Sequence, residues 1–365
     1  MVRSEEGDGQ VPRPGARAAL VVGNYCHDVL FRDGRLVGET LGGAASFVSN
    51  VLDALSPSSP NSPSHRYVAK VGPDFAYAVV VAHPPLVSPS SSPTTLFHAH
   101  FPSQSQGPSG YHGDRVLRRV RACDPILPSD LPGDAARFDF GLAAGVAGEI
   151  PPDTLERMLD LCRILLVDVQ GLIRSFDPAD GTVGLVPLRD TGFARLLPRI
   201  GFLKASAQEA PFMDIEEARK SCCVIVTEGK DGCRVYWKER ELHVPPFPAD
   251  QIDPTGAGDS FLGGFVAGLV WGLTVPDAAL LGNFFGSLTV GQIGVPKFDR
   301  RMLQYVKQEL ERRTMQCDGL CGRHLTVDLK SGLHEKFHAS LVEAARFICT
   351  DCSAEFSDGQ DDKCQ

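Results

Sequence analysis

Short apolar runs alternate with helical segments along the second half of the chain. The runs are 138–143, 164–168, 202–204 and 224–227, and helices are predicted from about Pro152 and after Asp259 and Pro276. Strands that are apolar throughout are buried on both faces, and strands separated by helices pair in parallel. We therefore predict an α/β fold in which helices flank a central, mostly parallel sheet, with a ligand crevice at the carboxyl ends of the strands.

A glycine-rich turn, residues 253–261, leads into an apolar helix and reads Asp-Pro-Thr-Gly-Ala-Gly-Asp-Ser-Phe. Gly256, Ala257 and Gly258 carry almost no side chain, so their N–H groups can approach an anion, and the helix dipole adds positive charge. Asp259 follows where a carboxylate can take the proton of a hydroxyl that attacks a nucleotide phosphate. The turn predicts phosphoryl transfer with Asp259 as general base; an ordinary helix start with a solvated aspartate is the alternative.

The string 253–266 resembles the C-terminal signature of the ribokinase-like (pfkB) carbohydrate kinases. The resemblance extends over about residues 18–297. It implies a ribokinase-like fold, in which a small β lid closes over a mostly parallel sheet, and it implies ATP and Mg²⁺ as cofactors. It also implies that residues 256–258 form the anion hole and that Asp259 is the catalytic base.

The substrate side of the resemblance lies near the N-terminus. Asp28 stands where the family has a substrate-binding aspartate, and its carboxylate can accept hydrogen bonds from two polyol hydroxyls; a plain turn residue is the alternative. Gly42 and Gly43 resemble the family's Gly-Gly motif beside the sugar. Ser46 replaces the usual Asn, which argues against an ordinary ribose or fructose site. The stretch 70–74 resembles a Val-Gly-x-Asp turn that is either a structural corner or part of the pocket.

The nucleotide side rests on a second glycine turn. Residues 227–232 resemble the family's Thr-x-Gly-x-x-Gly turn beside the nucleotide, and Asn283 lies on the helix that often contacts adenine, unless it is a surface residue. The chain has no Gly-x-x-x-x-Gly-Lys-Ser/Thr loop, so the phosphate grip must come from the turn before Asp259. The predicted nucleotide-binding residues are Thr227, Gly229, Lys230, Gly232, Thr255, Gly256 and Asn283.

Two further motifs lie at strand ends. Residues 206–209 occupy the place of the family's Asn-x-x-Glu motif, which is tied to magnesium and phosphate; Glu209 is retained, whereas Ser206 departs from the pattern. Glu209 is therefore the predicted metal ligand, with a helix-capping acid as the alternative. The stretch 167–174, Val-Asp-Val-Gln-Gly-Leu-Ile-Arg, resembles a family strand whose polar groups either face the crevice or form a buried network.

Composition excludes several classes of protein. The chain has 365 residues, a net charge of −9 and no long basic run, which argues against a nucleic-acid partner. The most apolar run, 261–275, is short and interrupted by glycines, so we expect no membrane span. Eleven scattered cysteines fit reduced thiols and a cytoplasmic location.

Three regions are predicted along the chain. Residues 1–17 lack the apolar core of a signal peptide and form an N-terminal tail. Residues 18–299 form the kinase domain, with a lid at about 30–41 and 94–122 that includes a hairpin signal at Asp33-Gly34. Residues 300–365 form a helical, Cys-rich extension. The sequence leaves the oligomeric state open, and the lid is where we expect any homodimer contact.

The extension contains two metal-like patterns. His334-Glu-Lys-Phe-His338 is a literal His-Glu-x-x-His, which on a helix can hold zinc for a metalloprotease, although a third ligand is not obvious. Cys317 and Cys321, with Cys349 and Cys352, have a spacing close to that of a zinc knuckle. Both patterns are alternatives to a simple helical tail.

The residues together predict an ATP-dependent kinase for a small neutral polyol, because Asp28 offers an acceptor and no basic cluster demands a phosphorylated substrate. Within the family, the whole string most resembles the plant kinases that convert myo-inositol to inositol 3-phosphate for phytate synthesis. Fructokinase, ribokinase and adenosine kinase activities remain alternatives. A non-catalytic, kinase-like regulatory subunit is an alternative from a different class.

Overall fold

The computed structural model describes residues 17–56, 65–89, 91–101, 115–317 and 334–349. In chain order its strands are β1 (Ala19–Val22), β2 (Cys26–Arg32), β3 (Arg35–Gly42), β4 (Arg66–Val68), β5 (Lys70–Val71), β6 (Leu86–Val87), β7 (Leu96–Phe101), β8 (Val116–Arg121), β9 (Phe138–Ala143), β10 (Cys162–Asp168), β11 (Arg174–Phe176), β12 (Val183–Leu185), β13 (Phe202–Ser206), β14 (Cys223–Thr227), β15 (Cys233–Trp237) and β16 (Arg240–Val244). Its α-helices are α1 (Ala44–Leu55), α2 (Pro152–Leu161), α3 (Gln170–Ile173), α4 (Ile215–Ala218), α5 (Ala257–Trp271), α6 (Val275–Val290), α7 (Arg300–Cys317) and α8 (His334–Cys349).

The larger sheet has the strand order β16-β15-β14-β13-β10-β9-β1-β4. Its strands from β4 to β14 are parallel, and β15 and β16 continue it as antiparallel strands. Val167 of β10 pairs with Ala143 on one side and with Leu203 on the other, so the carboxyl ends of these three strands meet at one edge. The predicted α/β fold with a mostly parallel sheet is confirmed.

Helices cover both faces of the larger sheet. Along β1, Ala19 and Val21 pack into the apolar layer that includes α1, α5 and α6, whereas Leu20 and Val22 pack into the layer that includes α2. This alternation is the period of two that a strand imposes on its side chains. Each large apolar side chain that becomes fully buried stabilises the fold by about 1.5–3 kcal/mol.

Helix α5 is the centre of one of these layers. It is buried from Ser260 to Trp271, which explains why its sequence is apolar all round rather than on one stripe. Gly264 lies against the backbone of Leu281 and Gly282, so the absence of a side chain lets α5 and α6 approach closely. This packing fixes the N-terminal turn of α5 over the edge of the larger sheet.

A smaller sheet of order β3-β2-β7-β8 contains most of the two segments predicted as a lid. Strands β2 and β3 form a hairpin through Asp33 and Gly34, whose φ angles of 52° and 75° are those of the turn that an Asp-Gly pair favours. Strand β2 then pairs in parallel with β7, and β7 pairs antiparallel with β8. The hairpin predicted from Asp33-Gly34 is present.

The β11–β12 hairpin is attached to the outer strand of the smaller sheet. Arg119 N donates to Gly181 O at 2.8 Å, and the side chain of Arg118 lies 3.4 Å from the carboxylate of Asp180. Thr182 forms a β-bridge with Arg118. The smaller sheet is therefore linked to the rest of the molecule by these contacts with the hairpin as well as by its covalent connections.

Helices α7 and α8 pack onto the same core as α5 and α6. Met302 and Leu310 of α7 and Phe337 and Leu341 of α8 are buried in that layer. The helical part of the extension is thus built into the main core. In the part of the chain that the structure describes, no helix is both long and apolar enough to cross a membrane.

Candidate active site

A cleft lies between the smaller sheet and the start of α5. Its polar residues come from four segments of the chain, and its apolar wall comes from the smaller sheet, α1 and the loop after β9. The polar side chains are those of Asp28, Arg115, Gln170, Arg174, Thr255 and Asp259. The apolar wall includes Phe47, Phe97, Leu117 and Val146. The structure thus brings the predicted base and the predicted substrate-binding aspartate into one cavity.

The glycine turn has the geometry of an anion-binding helix start. Gly256 precedes α5 with φ 77° and ψ 0°, a left-handed conformation that side chains disfavour, and a Cβ there would overlap the ring of Phe47. Thr255 N donates to Asp253 Oδ1 at 2.9 Å, which holds the turn from behind. Ala257 N makes only a long bond, 3.4 Å, to Pro254 O, so a negatively charged ligand can compete for the N–H groups of this turn.

Asp259 lies in the first turn of α5 and lines the cleft. Burial raises the pKa of its carboxyl above the usual range, while Lys204, Arg174, Arg115 and a hydrogen bond from Gln170 act in the opposite direction. Because a general base works best with a pKa near the working pH, this balance suits proton abstraction.

Asp28 belongs to β2, so it is a strand residue of the smaller sheet rather than a turn residue. Burial raises the pKa of its carboxyl to about 7, with Arg115 opposing the shift and Asp259 adding to it. Gly42 lies directly against this carboxylate, where any Cβ would overlap it, and Gly43 lines the cleft beside it. The predicted Gly-Gly motif therefore makes room for Asp28.

A buried cation, Lys204, lies beneath the cleft at the end of β13. Its Nζ is 3.0 Å from Asp168 Oδ2, and both side chains are almost fully buried. Burial lowers the pKa of Lys204, but Asp168, Glu209 and Asp259 outweigh that effect and raise it, so the lysine is charged. One lysine thus compensates three carboxylates. Accordingly, burial raises the pKa of Asp168 to about 7 despite the lysine.

Glu209, the predicted metal ligand, is not among the residues that line the cleft. Its Oε2 accepts hydrogen bonds from Ser206 N at 2.8 Å and Ser206 Oγ at 2.9 Å. Burial raises its pKa, but Lys204 and Ser206 outweigh burial, and the pKa is lowered. Among the described residues no three His, Cys, Asp or Glu side chains have the spacing of a preformed metal site. An ionised Glu209 fits a metal that is held mainly by phosphates and water.

Four of the seven predicted nucleotide-binding residues lie together at the end of β14, whereas Thr255 and Gly256 line the cleft. Thr227 ends that strand, Gly229 and Lys230 lie in a single 3₁₀ turn, and Gly232 precedes β15. Asn283 is buried in α6, and its Nδ2 donates to Val244 O at 3.2 Å and to Pro245 O at 2.9 Å. The amide nitrogen of Asn283 therefore holds the end of β16.

Ser46 and the turn at residues 70–74 are not among the residues that line the cleft. The hydroxyl of Ser46 donates to Gly43 O at 2.7 Å, within the first turn of α1. Asp74 accepts a hydrogen bond from Thr94 N at 2.7 Å, which favours the structural-corner interpretation of residues 70–74. The Asn-to-Ser departure at position 46 therefore leaves a side chain that satisfies its own backbone.

The sequence did not identify four polar residues of the site. Gln170 and Arg174 lie in the 167–174 motif, to whose polar groups the sequence alone assigns no definite role. Lys204 stands in an otherwise apolar strand, and a lysine in such a strand is a recognisable sign of a buried charge. Arg115 has no comparable local signal. Arg115 and Arg174 share the cleft with Asp28 and Asp259, so two cations face two acidic side chains.

The His-Glu-x-x-His pattern forms part of a helix, but its two imidazoles make separate packing contacts. His334 Nδ1 lies 3.3 Å from Asp277 Oδ1, while His338 stacks on Phe247 and lies 3.3 Å from Pro246 O. The carboxylate that His334 contacts is already paired with Arg313 at 3.0 Å, and among the described residues no group of three His, Cys, Asp or Glu side chains could hold a metal there. Of the predicted knuckle residues, Cys321 and Cys352 lie outside the described residues, as does most of the predicted N-terminal tail.

A glycine turn and a buried aspartate at the start of a helix, facing a second aspartate across a cleft, define a small-molecule phosphotransferase. The model of the pfkB family of carbohydrate kinases matches residues 144–298. The chain is 58% identical to inositol 3-kinase of Zea mays over 349 residues, 93% of this chain and 90% of that protein. It is 56% identical to inositol 3-kinase of Oryza sativa subsp. japonica over 354 residues, 95% of this chain and 87% of that protein. The chain belongs to the pfkB family of carbohydrate kinases.

Solved structures of low sequence identity share the fold. A pyrophosphate-dependent kinase of the ribokinase family, complexed with a pyrophosphate analog and myo-inositol, superimposes with a TM-score of 0.59 at 16% identity, over 77% of this chain and 97% of that chain. The nucleoside kinase of Methanocaldococcus jannaschii gives a TM-score of 0.58 at 16% identity, over 82% of this chain and 98% of that chain. The ribokinase-like fold predicted from the sequence is confirmed.

Proposed function

We propose that this chain is an inositol 3-kinase, which transfers the terminal phosphoryl group of ATP to myo-inositol and forms inositol 3-phosphate, a step of phytate synthesis. The observation that carries the proposal is that Asp28 and Asp259 line one cleft beside the Gly256 turn. The high identity to the plant enzymes supports myo-inositol as the acceptor. A neutral polyol also suits a cleft that contains hydrogen-bond acceptors as well as cations.

The chemistry follows from the positions of the two aspartates. Asp28 accepts hydrogen bonds from hydroxyls of the polyol and so orients the ring. Asp259 takes the proton of the attacking hydroxyl as its oxygen forms a bond to the terminal phosphorus of ATP. The bond between that phosphorus and its bridging oxygen breaks, and the electron pair leaves with ADP. The N–H groups of residues 256–258 stabilise the negative charge of the transferred group.

Mg²⁺ neutralises phosphate charge in reactions of this type, and Glu209 is the residue we propose to hold it through water. The nucleotide would lie along Thr227, Gly229, Lys230 and Gly232, with Thr255 at its phosphate end and Asn283 beside it. Support comes from the raised pKa of Lys204 and the lowered pKa of Glu209, which together keep a charged pair below the glycine turn. The smaller sheet would act as the lid that excludes water.

Two broader assignments belong to the same proposal. The buried cysteines carry free thiols, which supports a reducing, cytoplasmic location; they are Cys26, Cys123, Cys162, Cys222, Cys223 and Cys233. A homodimer through the smaller sheet is supported by exposed apolar side chains at Leu36, Val37, Val116 and Val120.

The test is ADP release by the purified chain with Mg²⁺ and ATP, using myo-inositol, ribose, fructose and adenosine as acceptors. Pyrophosphate serves as an alternative donor, and phosphorus NMR identifies the phosphorylated hydroxyl. Asp259→Asn should lower turnover with myo-inositol by about 10²- to 10⁴-fold. Asp153→Asn, an exposed aspartate on α2, is the matched control and should leave turnover unchanged.

Each outcome decides between the alternatives. Turnover on ribose, fructose or adenosine alone would retain the mechanism and replace the acceptor. Binding of ATP with no turnover on any acceptor would favour the regulatory subunit. Wild-type turnover in Asp259→Asn would remove Asp259 as the base. Peptidase activity that a zinc chelator abolishes would revive the metalloprotease interpretation.

A further inference from the structure

Gln170 joins two buried carboxylates beneath the cleft. It begins α3, directly beyond the end of β10, and is 7% exposed. Its Nε2 lies 3.1 Å from Asp259 Oδ1 and 3.0 Å from Asp168 Oδ2. Both partners are carboxylate oxygens, which accept hydrogen bonds when ionised, so the amide nitrogen and not the amide oxygen must face them. The two bonds therefore determine the orientation of the amide.

One of these two carboxylates is anchored independently. Asp168 Oδ2 also accepts a bond from Lys204 Nζ at 3.0 Å, and Asp168 Oδ1 accepts a bond from Gln170 N at 3.3 Å. Asp168 is fully buried, so this ion pair is shielded from solvent. The amide of Gln170 is consequently fixed at the Asp168 end, and its contact with Asp259 is imposed by a rigid neighbour.

The Asp168–Lys204 pair also contacts the glycine turn directly, through Lys204. Lys204 Nζ lies 2.9 Å from the place where a Cβ on Gly258 would stand, so the lysine packs beneath the first turn of α5. The ion pair therefore supports both the backbone next to Asp259 and, through Gln170, the Asp259 side chain. A network that contacts a carboxylate from two directions restricts its rotamer.

We propose that Gln170 is the positioning residue of Asp259: it holds Oδ1 and leaves Oδ2 directed at the acceptor hydroxyl, with the Asp168–Lys204 pair as its anchor. The proposal rests on the proposed role of Asp259 as base. Among the described residues no other hydrogen bond to the Asp259 carboxylate is present. One carboxylate oxygen of Asp259 is thus hydrogen-bonded to Gln170, and the other is left to accept the proton.

The charged groups around Asp259 show what the neutral side chain of Gln170 contributes to the pKa of that carboxyl. The cations that face it are Lys204 of β13, Arg174 of β11 and Arg115 beside β8, and the carboxylates are Asp28 of β2 and Asp168 of β10. Gln170 is the neutral member of this set. Its hydrogen bond lowers the pKa of Asp259 against the effect of burial, so its loss should leave a larger protonated fraction at neutral pH.

The test is the pH profile of kcat for Gln170→Met, which keeps the length of the side chain and removes the amide. We expect kcat at pH 7 to fall by about 10-fold or more, since a hydrogen bond to a charged group is lost. The acid limb of the profile should move to higher pH, while KM for myo-inositol changes less than kcat. Gln304→Met, on the exposed face of α7, is the matched control.

Gln170→Asn is a second variant, because its shorter amide cannot span both carboxylates; it should show the same displaced acid limb. An unmoved profile in both folded variants, or a rise in KM alone, would overturn the positioning role and make Gln170 a substrate contact. Asp259→Asn in the same assay separates the two proposals. If its turnover falls and the Gln170 profiles do not move, the base role stands and the positioning role fails; if its turnover is normal, the base role itself fails.

Discussion

Arg115 Nη1 donates to Thr255 Oγ1 at 2.8 Å, and this bond joins the edge of the smaller sheet to the turn that begins α5. The guanidinium also lines the cleft beside Asp28 and Asp259, where it lowers the pKa of both carboxyls against the effect of burial. One side chain therefore closes the cleft, holds the glycine turn and compensates two buried acids. Residues so placed are sensitive even to Arg→Lys exchange, because an ammonium cannot make the planar contacts.

We expect Arg115→Met to lower kcat/KM for myo-inositol by about 10- to 100-fold, since a charged hydrogen bond and a counter-charge are lost together. Arg195→Met is the matched control: this side chain is 56% exposed and pairs with Glu156 of α2. Steady-state kinetics of the two variants with myo-inositol measure the change in kcat/KM. Equal kinetics for Arg115→Met and wild type would show that the bond to Thr255 is dispensable.

The buried carboxyl of Asp28 should make stability depend on pH. Its pKa is about 7 in the folded chain and 3.8 as the reference value, so the folded state binds the proton more tightly. The free energy of unfolding therefore falls as pH rises from about 4 to 7, and the cost is complete above pH 7. Asp28→Asn removes that cost while it removes the acceptor of the polyol hydroxyls.

We expect Asp28→Asn to be more stable than wild type by about 1–3 kcal/mol at pH 8, with a smaller difference at pH 5. Urea unfolding at both pH values measures this, and turnover of the same variant should be strongly reduced. Asp153→Asn is the exposed control. A difference that is the same at both pH values would contradict the linkage.

Gly256→Ala should damage both stability and turnover. The left-handed backbone costs a side chain about 1–2 kcal/mol, and the overlap with Phe47 adds about 1–3 kcal/mol of overpacking. Gly133→Ala is the control, because no atom lies within 4 Å of its added Cβ. Thermal unfolding should show a lower midpoint for Gly256→Ala only. Phe47→Ala alone should cost about 3–5 kcal/mol because the ring is fully buried, so the comparison is the cost of Gly256→Ala in each background. With Phe47→Ala present, Gly256→Ala should cost only the backbone strain; an equal cost in both backgrounds would argue against the overlap.

Much of the site was predictable because its motifs are local. The turn 253–261 reveals its chemistry through adjacent small residues and one carboxylate, and the apolar strands reveal a parallel sheet through composition alone. Asp33-Gly34 likewise specifies its hairpin within two residues. In each case the physical cause, whether steric freedom or burial on both faces, acts within a few residues of the chain.

The rest of the site depends on pairings between distant segments. Strand β2 pairs with β7, more than 60 positions further along the chain, and only this pairing and the next bring Arg115 to the cleft. Local periodicity carries no information on such partners. Lys204 meets Asp168 only after β10 and β13 are adjacent in the sheet, and Gln170 meets Asp259 only after the chain brings α5 to the end of β10. The sequence therefore singles out Asp259 but not the side chains that surround it in the fold.

A network of buried charges connects α6, α7 and α8. Arg313 Nη1 lies 3.0 Å from Asp277 Oδ2, both side chains are 7% exposed, and the guanidinium lies over the ring of Phe337. Arg313→Met leaves Asp277 as a buried charge and should cost about 3–5 kcal/mol in urea unfolding. Arg312→Met, at a neighbouring site that is 61% exposed, is the matched control and should cost less than about 1 kcal/mol. Similar values for the two variants would show that α8 is held by apolar packing alone.

The attachment of the β11–β12 hairpin to β8 has a mechanical consequence. Arg174 is the first residue of β11, and its Nη1 donates to Val146 O in the cleft wall. If the smaller sheet swings away with its bonds to the hairpin intact, the hairpin must follow and draw Arg174 with it. Opening of the cleft to admit a polyol would then remove part of the cleft wall and a positive charge together. The open and closed forms would differ in electrostatic potential as well as in shape.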